Sequence, residues 1–77
     1  MEQKYREAFV SALSISDGTD FKNLKYNDIP EWDSIGHMTL ISELEEKFSI
    51  SFETDDIVNF SSFEEGKKIL NKMGVKL

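Results

Sequence analysis

Between Glu2 and Leu13 the apolar residues Tyr5, Ala8, Phe9, Ala12 and Leu13 recur at spacings of three and four. That recurrence places them on one stripe of an amphipathic helix. A second stripe begins further on, where Leu40, Leu44 and Phe48 repeat at i, i+4 and i+8 with Ile41 beside them, and it predicts a helix from Ser34 to Phe48. Between the two stripes, Ser14 to Asp33 has no sustained period of 2 or 3.6 and carries Gly18, Pro30 and a scatter of Asp, Asn, Ser and Thr. This reads as a long loop. It is also rich in apolar groups (Ile15, Phe21, Leu24, Tyr26, Ile29 and Trp32), and structureless loops of this length are uncommon in small domains unless they are functional or packed. These side chains are expected to cover the edge of the core, and Pro30 to mark the bend before the second helix.

The last third holds two more helical signals. In "FETDDIVNF", Thr54 reads as an N-cap, with Asp55 and Asp56 in a first turn where acids suit the helix dipole. This helix is short. In "SSFEEGKKILNKMG", Ser62 and Glu65 have capping-box spacing, Phe63, Gly66, Ile69, Leu70 and Met73 continue the stripe, Lys72 favours the last turn and Gly74 ends it. The expected fold is all-α, a small four-helix bundle of three main helices and one short one with a long first loop. It forms a single domain over residues 1–77 with no internal repeat.

Length and charge narrow what such a bundle does. A 77-residue domain buries only roughly 60% of the surface its unfolded chain exposes, which argues against a deep enclosed catalytic cleft. Nine Lys and Arg against fifteen Asp and Glu give a net charge of −6, which repels nucleic acid and anionic lipid and favours basic protein surfaces. There is no cysteine, so no disulfide, thiolate metal site or cysteine nucleophile exists, and any thiol chemistry must arrive on a prosthetic group. No apolar run approaches the ~18 residues of a membrane span, and no targeting segment is apparent, so the expected setting is cytoplasmic.

Chemistry concentrates at "EWDSIGHM", Glu31 to Met38, at the start of the second helix. A hydrolase reading would make Ser34 the nucleophile, with Asp33 and His37 as companions. A nucleophile elbow requires G-x-S-x-G between a strand and a helix, yet Trp32 stands at the first glycine position and no strand precedes it. A nucleophile, base and orienter also need to converge from separate segments, which near neighbours at one helix start do not. Simple N-capping by Ser34 or Asp33 is the plain local alternative. Stepping 100° per residue puts His37, Leu40, Ile41, Leu44 and Phe48 on the core arc, with His37 expected to pack or cap. The opposite side carries Ile35, Met38, Ser42, Glu45 and Glu46. An isoleucine and an adaptable methionine above a run of acids suit a docking surface for several basic partners.

With "DSI" opening the second helix and "LISELEEKF" following at the appropriate distance, the chain resembles the acyl carrier protein family across essentially its whole length. The resemblance implies that Ser34 carries a 4′-phosphopantetheine arm, transferred from coenzyme A by a phosphopantetheinyl transferase, whose thiol holds acyl or aminoacyl cargo as a thioester. It implies a non-catalytic, monomeric carrier that serves acyl-loading and acyl-processing enzymes through their basic docking patches. Asp33 matches the acid before the modified serine, and Ile35 stands where the family more often has leucine. Met38, Glu45 and Glu46 match the partner-recognition face. Phe52, Ile57 and Phe60 match positions bordering the acyl cavity, and their size disfavours a long chain. No metal site is implied.

Departures from the family pattern leave the pathway open. Gly36, Thr39, Ser42 and Lys47 dilute the recognition surface, and Gly36 costs the helix about 1 kcal/mol relative to alanine. "IPEWDSIGHM" looks more like the carriers of accessory clusters for specialised lipids, modified sugars or amino-acid-derived products than like those of fatty-acid synthesis proper. Two readings from another class bear testing against the residues. A calcium loop at "DGTDFKNLKYND" fails, with Phe21 at its fifth position, Lys22 instead of glycine at its sixth and Asp28 at its twelfth. An unmodified acidic module that binds other proteins survives, because spacing alone does not show Ser34 to be modified.

Overall fold

The apolar stripes close on one another. A computed structural model describes residues 2–77, and among these it forms α1 (Glu2–Leu13), α2 (Ser34–Phe48), α3 (Thr54–Asn59) and α4 (Phe63–Lys72). There is no strand among the described residues; one isolated antiparallel bridge joins Lys25 to Ser62. The all-α bundle of three main helices and one short one is the expected architecture. α1 buries Tyr5, Ala8, Phe9 and Leu13, α2 buries His37, Leu40, Ile41 and Leu44, and α4 buries Phe63, Gly66, Ile69 and Leu70. Phe48, placed on the core arc by the helical wheel, packs against the core only half-buried at the last residue of α2, with Lys4 Nζ covering its ring at 5.3 Å from the centroid.

Helix ends follow local chemistry. Asp33 caps α2, its Oδ1 accepting from Gly36 N–H at 2.8 Å, and Ser62 caps α4 by accepting from Glu65 N–H at 3.0 Å. The return half of the expected capping box is replaced, since the Glu65 carboxylate turns to Lys68 at 3.2 Å. At α3 the cap is Glu53 and not Thr54. Glu53 holds extended backbone and its amide donates to Asp56 Oδ2 at 3.4 Å, whereas Thr54 is already helical. α4 closes as a Schellman motif: Gly74 takes φ +91°, its amide reaches the Asn71 carbonyl, and Val75 N–H reaches the Leu70 carbonyl.

The long first loop forms part of the core. Phe21 and Leu24 are buried around a single 3₁₀ turn, Phe21–Asn23, and Trp32 has no exposed surface at all. Trp32 packs edge-on against Phe9 at 5.3 Å, and Phe9 in turn meets Phe63 at 5.1 Å. An irregular segment buries this much only when its amides are satisfied elsewhere. Tyr26 N–H donates to the Ser61 carbonyl and Phe63 N–H to the Leu24 carbonyl, strapping the loop to the corner between α3 and α4.

Candidate functional site

The first turn of α2 separates the two roles that "DS" leaves open in the sequence. Asp33 performs the capping, so Ser34 is the first helical residue, exposed, with no hydrogen bond to its hydroxyl among the described residues. The first intrahelical bond runs from His37 N–H to the Asp33 carbonyl, and Gly36 N–H is taken by the cap. The amides of Ser34 and Ile35 are thus left as the open donors of the helix end. A phosphate ester on Ser34 Oγ would meet both the donors and the positive end of the helix dipole, a preference of roughly 0.3–1 kcal/mol at an exposed site. The residues present fit a phosphopantetheine arm, since the acceptor oxygen is accessible, uncommitted and placed where an anion is favoured.

Gly36 has a steric reason that composition concealed. A Cβ at this position would run into the carbonyl oxygen of Glu31 and press on Leu13 Cδ2. The loop crosses the first turn of α2 so closely that only glycine fits, and the helix-propensity cost of Gly36 is the cost of that crossing.

Behind Ser34, one turn along α2, His37 bridges three segments. The Trp32 indole Nε1–H donates to His37 Nδ1 at 2.9 Å, and His37 Nε2 lies 2.9 Å from the Ile57 carbonyl of α3. An indole nitrogen only donates, so Nδ1 is unprotonated and the ring proton sits on Nε2, donating to Ile57. His37 is a packing residue, as its position on the core arc implied, with the Tyr26 ring at 5.2 Å and that of Phe60 at 5.8 Å. With both ring nitrogens committed, it does not serve as a base for Ser34.

An open, mainly apolar pocket of about 260 Å³ lies between α2 and α3, lined by Tyr26, His37, Ile57, Val58, Phe60 and Ser61. Of the three residues expected to border an acyl cavity, Ile57 and Phe60 do line this pocket. Phe52 stands behind Phe60 with their rings 6.0 Å apart. The expected docking residues divide. Ile35 and Met38 are 76% and 51% exposed, and Glu46 and Asp33 are also exposed, although the Asp33 carboxylate is occupied by the cap. Glu45 is half-buried and its Oε2 accepts from Phe52 N–H at 2.9 Å, so it fixes the turn after α2 as well as lending charge to the surface.

One strongly exposed apolar side chain is absent from the sequence reading, Val58 at 74% exposed, while Tyr26, expected at the edge of the core, is 37% exposed. The signal for Val58 was the adjacent pair Ile57-Val58 on a helix too short to bury both. No group of three or more His, Asp or Glu among the described residues is placed to hold a metal ion, and no helix among them is long and apolar enough to cross a membrane. Comparison of the chain with protein-family models, with curated proteins and with solved structures returns no match.

Proposed function

We propose that the chain is a carrier that holds acyl or aminoacyl cargo as a thioester on a 4′-phosphopantetheine arm esterified to Ser34. The observation that carries this reading is the division of labour at the start of α2: Asp33 caps the helix, and the serine beside it presents a free, exposed hydroxyl at the anion-favouring end. A serine there for capping alone would hold the bond that Asp33 holds. Attachment from coenzyme A forms one bond, Ser34 Oγ to phosphorus, and breaks the phosphoanhydride. The hydroxyl proton passes to a base on the phosphopantetheinyl transferase and the nucleotide bisphosphate leaves. The arm supplies the thiol that this cysteine-free chain lacks.

The chain's own residues present that group to other enzymes. Ile35 and Met38 flank Ser34 on the outer face of α2 with Val58 exposed on α3, and the net charge of −6 steers them toward basic patches. The rings of Tyr5, Phe9, Trp32, Phe60 and Phe63 fill the bundle interior, which supports a short or polar cargo lodged in the α2–α3 pocket over a long chain threaded through the core. In this reading the protein is a cytoplasmic monomer without catalytic activity, serving fatty-acid, lipid or specialised-metabolite enzymes.

The exposed Ile35, Met38 and Val58 also favour a second reading, an acidic module that docks on proteins without being modified. Intact-mass spectrometry separates the two. Incubation with coenzyme A, magnesium and a broad-specificity phosphopantetheinyl transferase is expected to add one arm to the wild-type chain and none to Ser34→Ala, with the helical circular dichroism unchanged. No mass gain in the wild type would leave the unmodified module standing, and a gain that persists in Ser34→Ala would move the site to another residue.

A further inference from the structure

α3 is held in an unusual way for a helix beside a functional site. It has six residues, none of them fully buried, and it is far shorter than a helix that stands on its own propensity. Yet it forms one wall of the α2–α3 pocket through Ile57 and Val58, the latter 74% exposed at the rim. Apolar burial anchors it at its flanks, through Phe52 before it and its C-cap Phe60, while within the helix only Ile57 packs against the core, half-buried. What spans the gap is a polar chain of three groups: the Trp32 indole, the His37 imidazole and the Ile57 carbonyl, joined by two bonds of 2.9 Å.

The order of that chain has a direction. Trp32 is immobilised in the core, so its Nε1–H is a fixed donor aimed at Nδ1. A fixed donor at Nδ1 keeps the proton off that nitrogen and on Nε2, where it faces α3. Were the tautomer reversed, two N–H groups would oppose each other at Trp32, and two acceptors, Nε2 and the Ile57 oxygen, would oppose each other at α3. The buried indole thus selects the ring form that grips the short helix.

We propose that His37 is a positioning residue: held as the Nε2–H tautomer by Trp32, it clamps α3 to α2 and so sets the shape of the surface beside Ser34 that modifying and loading enzymes bind. The clamp acts through Ile57 and makes no contact with the reacting atoms. Its consequence for docking rests on the carrier reading above, whereas the clamp itself does not.

Two substitutions divide the two bonds. Glutamine places an amide N–H at the reach of Nε2, keeping the grip on Ile57 and giving up the bond from Trp32. Asparagine places a carbonyl oxygen at the reach of Nδ1, keeping Trp32 satisfied and releasing α3. In His37→Asn the amides of Ile57, Val58 and Asn59 are expected to exchange with solvent about tenfold faster, corresponding to about 1.4 kcal/mol of lost local stability. Amides of α1 and α4 should change far less, and His37→Gln should restore most of the protection of α3.

In the wild type at mildly alkaline pH, the ring ¹⁵N spectrum should show a protonated Nε2 and a bare Nδ1. A proton on Nδ1 overturns the proposal without recourse to any variant, as does unchanged α3 exchange in a folded His37→Asn protein, or glutamine performing no better than asparagine. Kinetics of Ser34 modification test the consequence: His37→Asn should raise the KM of the transferase for the protein severalfold with kcat nearly unchanged, and His37→Gln should reverse the rise. An unchanged KM with a loosened α3 overturns the positioning role. Should wild-type Ser34 accept no arm at all, the carrier reading fails, and the exchange and ring-nitrogen data still decide the clamp.

Discussion

α2 and α3 face each other across the same pocket and are built on opposite principles. α2 has fifteen residues, buries His37, Leu40, Ile41 and Leu44, and carries a side-chain cap at its start. α3 has six residues, buries none of them fully, and is held by its buried flanking residues Phe52 and Phe60, the Glu53–Asp56 cap and the bond from His37. Ser34 sits on the firm side. In the carrier reading, attaching the arm to the stable helix fixes its origin, and the facing wall rests on a weak helix whose position depends on the bond from His37. Local stability differs across a structure wherever burial does, and here the difference runs across the α2–α3 pocket.

Truncation in the core of the firm helix should give the largest effect. Leu44 has no exposed surface, and Leu44→Ala is expected to cost about 2–5 kcal/mol, a large share of the total for a small domain. Val58→Ala on the weak helix should stay within about 0.5 kcal/mol, since its side chain is mostly in solvent. Urea denaturation of the two variants beside the wild type measures both. Equal shifts in midpoint would dissolve the contrast between the helices.

A smaller effect comes from the counterpart of His37 on α1. Tyr5 is fully buried and its hydroxyl donates to the Phe63 carbonyl at 2.7 Å, anchoring the start of α4 as His37 anchors α3. Burial, together with the nearby charges of Glu64 and then Glu2, pushes the phenol well above its ordinary value of 10.0. A group whose folded pKa is raised contributes its full stability below the unfolded value, and that contribution drains away as pH rises past 10.0 toward the folded value. Tyr5→Phe should lower stability by about 1–2 kcal/mol at neutral pH and flatten the alkaline decline. The slope that persists belongs in part to Lys67, whose ammonium is held protonated chiefly by its hydrogen bond to Glu2. Urea midpoints followed from neutral pH to beyond 10.0 give the comparison, and identical alkaline slopes in both proteins would remove Tyr5 from the account.

The contrast between firm and weak elements also marks what the sequence could tell. Periodicity reports burial, so α1, α2 and α4, which bury stripes, were legible with their boundaries. α3 was legible only through its caps, and the cap position itself was read one residue late, because Thr54 is the better intrinsic capper while Glu53 has the extended backbone that capping needs. The first loop is buried more deeply than its sequence pattern implies. Trp32 has no periodic neighbours to announce that it is central, and its burial depends on Phe9, on Phe60 and on loop backbone bonds to residues far along the chain. The position of Ser34 at a helix start was legible because residue type and helix boundary are both local facts. The His37 bridge was not, since it joins residues on three segments, and the steric need for Gly36 is visible only once the Glu31 carbonyl is in place.

The smallest expected effects on stability discriminate best at the surface. Glu45 and Glu46 are adjacent acids that a helical wheel treats alike, but Glu45 Oε2 accepts from Phe52 N–H whereas Glu46 is exposed. Glu45→Lys should therefore destabilise by on the order of 1 kcal/mol, through a lost charge-assisted bond at the turn leading into α3. Glu46→Lys should leave the thermal melt within experimental scatter and act only on encounter with basic partners. In the carrier reading it slows Ser34 modification most at low salt, and the penalty shrinks as ionic strength shortens the Debye length toward ~8 Å and below. Met38→Ala should slow the same reaction with little dependence on salt, because its 51% exposed side chain contributes apolar contact and no charge. Modification rates across a salt series, with melts of every variant, test the set together. If Glu46→Lys and Met38→Ala both modify at the wild-type rate while still folded, the partners grip some face other than the outer side of α2.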